Sequence, residues 1–106
     1  MTQIEKAKQH YDNKEYPKAI DLILNLINKG IVLDNSIEYH DILLYLGDSR
    51  LCLYHTSRNK SLVYEALTDF ATGANSLFAF HQTISTDLNN RIKKCIGLLF
   101  KPAQFI

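Results

Sequence analysis

The sequence predicts an all-α fold of about five helices. Apolar residues recur three and four positions apart along most of the chain, which is the spacing of one face of an α-helix. No segment alternates apolar and polar residues over the length of a strand. Glycine and proline number only 4 and 2 among 106 residues, so few positions interrupt a helix. This length suits a single domain, which we place at residues 1–100, followed by a short tail at 101–106.

The first helix is predicted to begin after Thr2 and to end near Asp12 or Asn13. The Thr2 hydroxyl can accept a hydrogen bond from an amide of the first turn, which otherwise has no partner. The apolar positions of this helix follow the three- and four-residue spacing: Ile4, Ala7 and Tyr11.

The second helix is predicted to follow Pro17 and to reach about Asn28. Proline suits a first turn, where its missing amide hydrogen costs no hydrogen bond. Gly30 is placed to end the helix, because glycine adopts the left-handed conformation without strain. Seven apolar residues lie between positions 19 and 27, too many for one stripe, so this helix should be covered on more than one side.

Three more helices are predicted at 36–54, 60–80 and 86–100. Asn35, followed by Glu38 three residues later, suggests a capping box at the start of the third. The fourth has the most regular apolar spacing in the chain. The fifth is amphipathic, with Lys94 among its polar residues, away from the expected binding surface. Its predicted apolar face comprises Leu88, Ile92, Ile96, Leu99 and Phe100.

The first two helices resemble a tetratricopeptide repeat. Ala7 provides the small residue of the first helix, and Tyr16, Ala19 and Ile20 match the Tyr-x-x-Ala-Ile opening of the second. A looser copy follows, in which Gly47 takes the small position, but its two helices are about seven residues too far apart. The resemblance covers roughly residues 4–78 and implies two antiparallel hairpins with a capping helix. An unrelated helical bundle with small residues at its crossings remains the alternative.

The resemblance implies a binding groove lined by the first helix of each hairpin. In the family this groove holds an extended peptide or a partner helix. Carried over by position, the first hairpin would contribute Ile4 and the second Cys52. The partner-binding residues that we predict are Lys8, Tyr11, Asp12, Leu44, Asp48 and Leu51.

The sequence contains no recognisable constellation for catalysis, a metal or a cofactor. The four histidines are scattered, and Cys52 and Cys95 form no CxxC pair. Gly47 precedes Asp48 and Ser49, but no GxSxG elbow is present, and the small residue already has a packing role. We therefore expect a non-catalytic protein without cofactor or metal, and two buried thiols in a reducing compartment.

Charge and hydropathy narrow the classes of partner. Residues 1–53 carry 6 Lys and Arg against 8 Asp and Glu, and residues 54–106 carry 6 against 3. These net charges of −2 and +3 are too small to predict nucleic-acid binding. No apolar run could span a bilayer, and the first ten residues lack a signal peptide, so we expect no membrane association and a cytoplasmic location.

Two functional hypotheses follow. The first is an interaction module that binds a protein or peptide partner through the groove. The second is a small immunity protein or chaperone, which neutralises or escorts one dedicated partner such as a toxin or effector. A homodimer is also left open, because so few repeats leave apolar edges that a second copy could cover.

Overall fold

Five α-helices make up the part of the chain that the structure, a computed structural model, describes, which is residues 1–100. The helices are α1 (Gln3–Asp12), α2 (Tyr16–Asn28), α3 (Ile37–Ser57), α4 (Lys60–His81) and α5 (Thr86–Leu99). No strand occurs within this range. The predicted all-α fold of five helices is therefore confirmed, and the tail at 101–106 lies outside the described residues.

Side-chain hydrogen bonds stabilise both ends of α1. The Thr2 hydroxyl accepts from the Glu5 amide at 3.1 Å, as predicted for the start of α1. At the other end, the Glu15 carboxylate lies 3.0 Å from Nδ1 of His10 and 3.2 Å from Nζ of Lys18. The hydrogen bond with His10 contributes most to lowering the pKa of Glu15, and the hydrogen bond with Lys18 contributes next.

α2 ends at a glycine in the left-handed conformation, as predicted from the sequence. Gly30 has φ 68°, and its amide donates to the Ile27 carbonyl at 3.0 Å. The following amide, that of Ile31, donates to the Leu26 carbonyl at 3.0 Å. This pair of bonds satisfies carbonyls that the helix end would leave open, and only glycine adopts such a φ readily.

The capping box predicted at the start of α3 is wrong. Ser36, and not Asn35, is the N-cap, and its side chain caps no amide of the helix. The Ser36 hydroxyl donates instead to the Leu33 carbonyl at 2.6 Å, which closes the preceding turn. A serine hydroxyl readily bonds to nearby backbone in this way, in competition with capping.

α3 and α4 form a long antiparallel pair that crosses at Gly47. A β-carbon added to Gly47 would lie 2.4 Å from Cε1 of Phe70, whose ring is fully buried. Because Gly47 has no side chain, the Phe70 ring can pack directly against the backbone of α3. Arg58, with φ 59°, ends α3, and α4 begins two residues later.

The helices stack in chain order and enclose two hydrophobic clusters. α2 packs against α1 and α3, and α4 packs against α3 and α5. The first cluster joins α1 and α2 to the beginning of α3, where it includes Ile42 and Leu46. The second joins the end of α3 to α4 and α5, and it includes Leu51 and Phe70. α3 thus contributes to both clusters.

The predicted apolar face of α5 is confirmed in part, since Leu88, Ile92 and Leu99 lie in or against the second cluster. Leu88 is fully buried as expected, but Ile96 is 45% exposed and Phe100 is 64% exposed. Cys95, which was not assigned to this face, is fully buried in the second cluster. The helix is therefore rotated towards Cys95, which packs against α4 as a small apolar side chain.

None of the five helices combines the length and the apolar character that a membrane crossing requires.

Candidate functional site

α1, α3 and α5 meet along one side of the molecule. Lys8 of α1 forms an ion pair with Asp41 of α3, at 2.5 Å. Tyr11 of α1 contacts Tyr45 of α3 edge to face, with ring centroids 5.3 Å apart. These contacts join α1 to α3 directly, although α2 lies between them in the chain.

A cavity of about 350 Å³ opens where the three helices approach one another. We call it the shared cavity. α1 contributes one of its lining residues, α3 contributes four and α5 contributes two. They are Tyr11, Asp48, Leu51, Cys52, His55, Arg91 and Lys94.

Tyr11 lies at the α1 side of the shared cavity and is half-buried. Its ring packs between two other tyrosines, edge to face with Tyr45 and at 5.6 Å from Tyr16. Burial, together with the nearby Asp48 and Cys52, raises the pKa of Tyr11 to about 12. The phenol is therefore neutral at physiological pH, and the aromatic contacts fix its ring.

An ion pair connects α3 to α5 across the shared cavity. Nε of Arg91 donates to Oδ1 of Asp48 at 2.8 Å, and the two side chains are 31% and 16% exposed. The hydrogen bond with Asp48 raises the pKa of Arg91. Asp48 is thus paired with Arg91. The Lys94 ammonium, which also lines the cavity, forms no ion pair among residues 1–100.

Three of the six partner-binding residues predicted from the sequence line the shared cavity. Tyr11 and Asp48 line it and are half-buried, while Leu51 is only 3% exposed and forms its apolar wall. Cys52, carried over by position in the same way, also lines it.

The other predicted residues lie outside the shared cavity. Lys8 is engaged by Asp41, and its ammonium lies 5.3 Å from the centroid of the Tyr45 ring. Asp12 is exposed, and Leu44 packs against the second hydrophobic cluster. Ile4 packs against the first cluster.

One expectation about this surface is wrong, and two residues were missed. Lys94 was placed away from the binding surface, yet it lines the same cavity as Tyr11. Arg91 and His55 were not expected there at all. Polarity alone made α5 look like a solvated cap, because helical periodicity does not show which neighbour a polar side faces. The excess of positive charge after residue 53 was the one available signal.

The shared cavity combines aromatic, apolar and charged side chains. Cys52, a free thiol, lines the shared cavity together with Tyr11 and His55. Within residues 1–100, no group of three or more His, Cys, Asp and Glu side chains is arranged to hold a metal ion. An aromatic ring, an apolar wall and fixed charges are the parts of a protein-recognition surface.

The chain is similar to one curated protein over nearly its whole length. It is 32% identical over 101 residues to the 26S proteasome regulatory subunit RPN6 of Saccharomyces cerevisiae. The match covers 94% of this chain but only 22% of the relative, so the chain spans about a fifth of that protein's length. No protein-family model matches the chain. No solved structure matches it either.

Proposed function

We propose that this chain is a non-catalytic interaction module whose partner protein binds at the shared cavity. The observation that carries the proposal is the convergence of three helices, distant in sequence, on one open cavity. Its aromatic, apolar and charged side chains come from α1, α3 and α5. A rigid aromatic residue beside charged groups is typical of the residues that dominate protein binding.

The tetratricopeptide-like interpretation supports this proposal. In that arrangement the first helix of each hairpin faces the ligand, and here α1, α3 and α5 share the cavity while α2 and α4 contribute none of its lining. The similar yeast protein is, by its name, a regulatory subunit of the 26S proteasome, and thus a component of a larger assembly. A role in protein–protein contact is consistent with both observations.

Of the two positive groups in the shared cavity, Lys94 is the better one to test by substitution. Arg91 is held by Asp48, whereas Lys94 is exposed and has no ion-pair partner among the described residues. Reversing the charge of Lys94 should therefore weaken binding without disturbing the fold, because an exposed lysine contributes little to stability. Lys29 is the matched control, since it is also exposed and lies at the end of α2.

The test compares three immobilised proteins in an extract of the native host. Wild type, Lys94→Glu and Lys29→Glu are each exposed to the extract, and the retained proteins are quantified by mass spectrometry. We expect wild type and Lys29→Glu to retain the same partner, and Lys94→Glu to retain about tenfold less, a loss of roughly 1.4 kcal/mol. Equal retention by all three would show that the partner binds elsewhere.

The number of partners separates the two functional hypotheses. Several proteins that share a short segment indicate an adaptor, while one stoichiometric partner indicates a dedicated neutraliser or escort. Turnover of a small molecule with no retained protein would overturn the non-catalytic assignment.

A further inference from the structure

A second cavity, of about 340 Å³, lies where the connector between α2 and α3 (residues 29–36) and the beginning of α3 meet α4. We call it the connector cavity. Its lining residues are Asp34, Tyr39, Thr72, Asn75, Ser76, Ala79 and Phe80. Tyr39 precedes Asp48 of the shared cavity by nine residues, or roughly two and a half turns at 3.6 residues per turn. The two cavities therefore lie on opposite faces of α3.

Hydrogen bonds attach the connector to α4. The Ser76 hydroxyl donates to the Asp34 carbonyl at 2.5 Å, and Nε2 of His81 donates to the Asn35 carbonyl at 3.1 Å. Val32, two residues before Asp34, is only 5% exposed and belongs to the first hydrophobic cluster. The backbone on either side of Asp34 is thus anchored, and the wall that it forms needs little ordering by a ligand.

Two aromatic rings line the connector cavity. The Tyr39 ring packs against the first hydrophobic cluster, which limits its movement, and Phe80 is 53% exposed. Burial, and after it the negative charge of Asp34, raises the pKa of Tyr39. The phenol is therefore neutral at physiological pH, and the Asp34 carboxylate lies close enough to act on it. The face of an aromatic ring attracts a cation, so the rings and the carboxylate favour the same kind of ligand.

Asp34 is the only charged side chain among the residues that line the connector cavity. Its carboxylate forms no hydrogen bond or ion pair within residues 1–100. Lysine and arginine are absent from residues 30–49 and 61–90, the two segments that supply the entire lining. No lysine or arginine of either wall therefore balances the charge of Asp34, and a cationic ligand complements it.

We propose that the connector cavity binds a lysine or arginine side chain of a protein partner, with its charged group at the Asp34 carboxylate and its stem against the rings of Tyr39 and Phe80. The volume suits a single side chain, since ligand pockets span about 300–1,000 Å³ and this cavity lies near the lower limit. The side-chain oxygens of Thr72 and Asn75 can accept further hydrogen bonds from the charged group. This proposal does not depend on what binds at the shared cavity.

The test uses three small probes, the Nα-acetyl amides of lysine, arginine and norleucine. Norleucine carries the apolar stem of lysine without its charge. Each probe is added to the isotope-labelled full chain, and its dissociation constant is obtained from the movement of backbone amide signals in NMR spectra. We expect the two cations to bind with dissociation constants of about 1–10 mM, and norleucine to bind at least about tenfold more weakly. The amides that move should be those of the connector, the beginning of α3 and the facing part of α4.

Matched pairs of variants locate the binding site. Asp34→Asn removes the charge of the cavity, while Glu38→Gln removes an exposed charge of α3 that does not line it. Phe80→Leu removes a ring of the cavity, while Phe78→Leu changes a 60% exposed phenylalanine of α4 that lines a different cavity. We expect Asp34→Asn to weaken binding of both cations about fivefold and Phe80→Leu about threefold, with each control within about twofold of wild type. The same spectra show whether each variant is folded.

The tighter of the two cations identifies the group that the cavity prefers, a guanidinium if it is arginine and an ammonium if it is lysine. Absence of binding by both cations would overturn the proposal. Binding of norleucine as tight as that of lysine would also overturn it, because the cavity would then be an apolar site only. Equal losses in Asp34→Asn and Glu38→Gln, or in Phe80→Leu and Phe78→Leu, would do the same, since the cation would then lie elsewhere on the surface.

Discussion

The two hydrophobic clusters of this molecule are built differently. The first joins α1, α2 and the beginning of α3, and small side chains are buried on both short helices, Ala7 on α1 and Ala19 on α2. The second, which joins α3, α4 and α5, holds the large Phe70 ring against Gly47. The buried Asp69, the residue before Phe70, pairs with Arg50. The first is therefore closed by small side chains, whereas the second encloses a large ring and lies beside a buried ion pair.

Among the changes that test this difference between the clusters, loss of the buried ion pair should destabilise the protein most. Nη1 of Arg50 donates to both carboxylate oxygens of Asp69, at 2.9 and 2.8 Å, and the two side chains are 12% and 9% exposed. Asp69→Ala would leave a buried guanidinium without its main partner, and we expect a loss of about 3–5 kcal/mol in the free energy of unfolding, measured by urea denaturation.

Glu65→Ala is the control for this prediction. Glu65 also approaches Arg50, at 3.4 Å, but its side chain is 50% exposed, so the loss should be under about 1 kcal/mol. A joint replacement, Arg50→Met with Asp69→Leu, should recover most of the stability, since neither charge is then left alone. Equal effects of Asp69→Ala and Glu65→Ala would contradict this account of the second cluster.

Gly47→Ala should destabilise the second cluster by about 1–3 kcal/mol. The added methyl group would lie 2.4 Å from the Phe70 ring, and that ring is enclosed on all sides. Thermal or chemical denaturation measures the loss. The matched change is Gly73→Ala, whose methyl group would lie an ordinary 3.5 Å from Leu43 and should be tolerated. Phe70→Leu should partly offset Gly47→Ala in a double-mutant cycle.

Ala19→Leu tests the first cluster in the same way. Ala19 is fully buried in the short α2, so the larger side chain should overpack the hairpin and cost about 1–3 kcal/mol. Lys18→Leu, at the exposed neighbouring position, controls for the effect of added apolar surface. An unchanged denaturation midpoint for Ala19→Leu would remove the physical basis for the crossing at this residue.

The two thiols should distinguish the shared cavity from the second cluster. Cys95 is fully buried and burial raises its pKa to about 11, while Cys52 is partly exposed and lines the cavity. Alkylation requires the thiolate and access to it. We expect iodoacetamide at neutral pH to modify Cys52 first and Cys95 only after denaturation, as mass spectrometry would show. If Cys95 were modified before Cys52 in the folded protein, the buried position of Cys95 on α5 would be contradicted.

The smallest expected effect concerns Tyr11 at alkaline pH. Its pKa is raised from 10 to about 12, so the folded state holds the phenolic proton more tightly than the unfolded state. The stability that results is complete below pH 10 and is lost as the pH rises through about 12. Tyr11→Phe should reduce the fall in stability over this window, in denaturation curves recorded at each pH. An unchanged slope in Tyr11→Phe would assign the loss to other groups.

Local sequence signals predicted the first cluster better than the second. The cap at Thr2 and the glycine ending at Gly30 depend on residues within four or five positions, and the structure shows both. The rotation of α5 towards Cys95 and the placement of Lys94 depend on how α5 packs against α4 and approaches α3. Periodicity identifies an apolar face but does not fix the neighbours of its edges. Three of the seven residues that line the shared cavity, His55, Arg91 and Lys94, were therefore not predicted.

The participation of α3 in both clusters has a consequence for how the molecule opens. Neither end of the stack can separate without uncovering one part of α3, which is buried at Leu46 in one cluster and at Leu51 in the other. The central amides of α3 should therefore exchange their hydrogens with solvent only when the entire chain unfolds, while those of α1 exchange through local fraying. We therefore expect the two clusters to unfold together, as one cooperative unit.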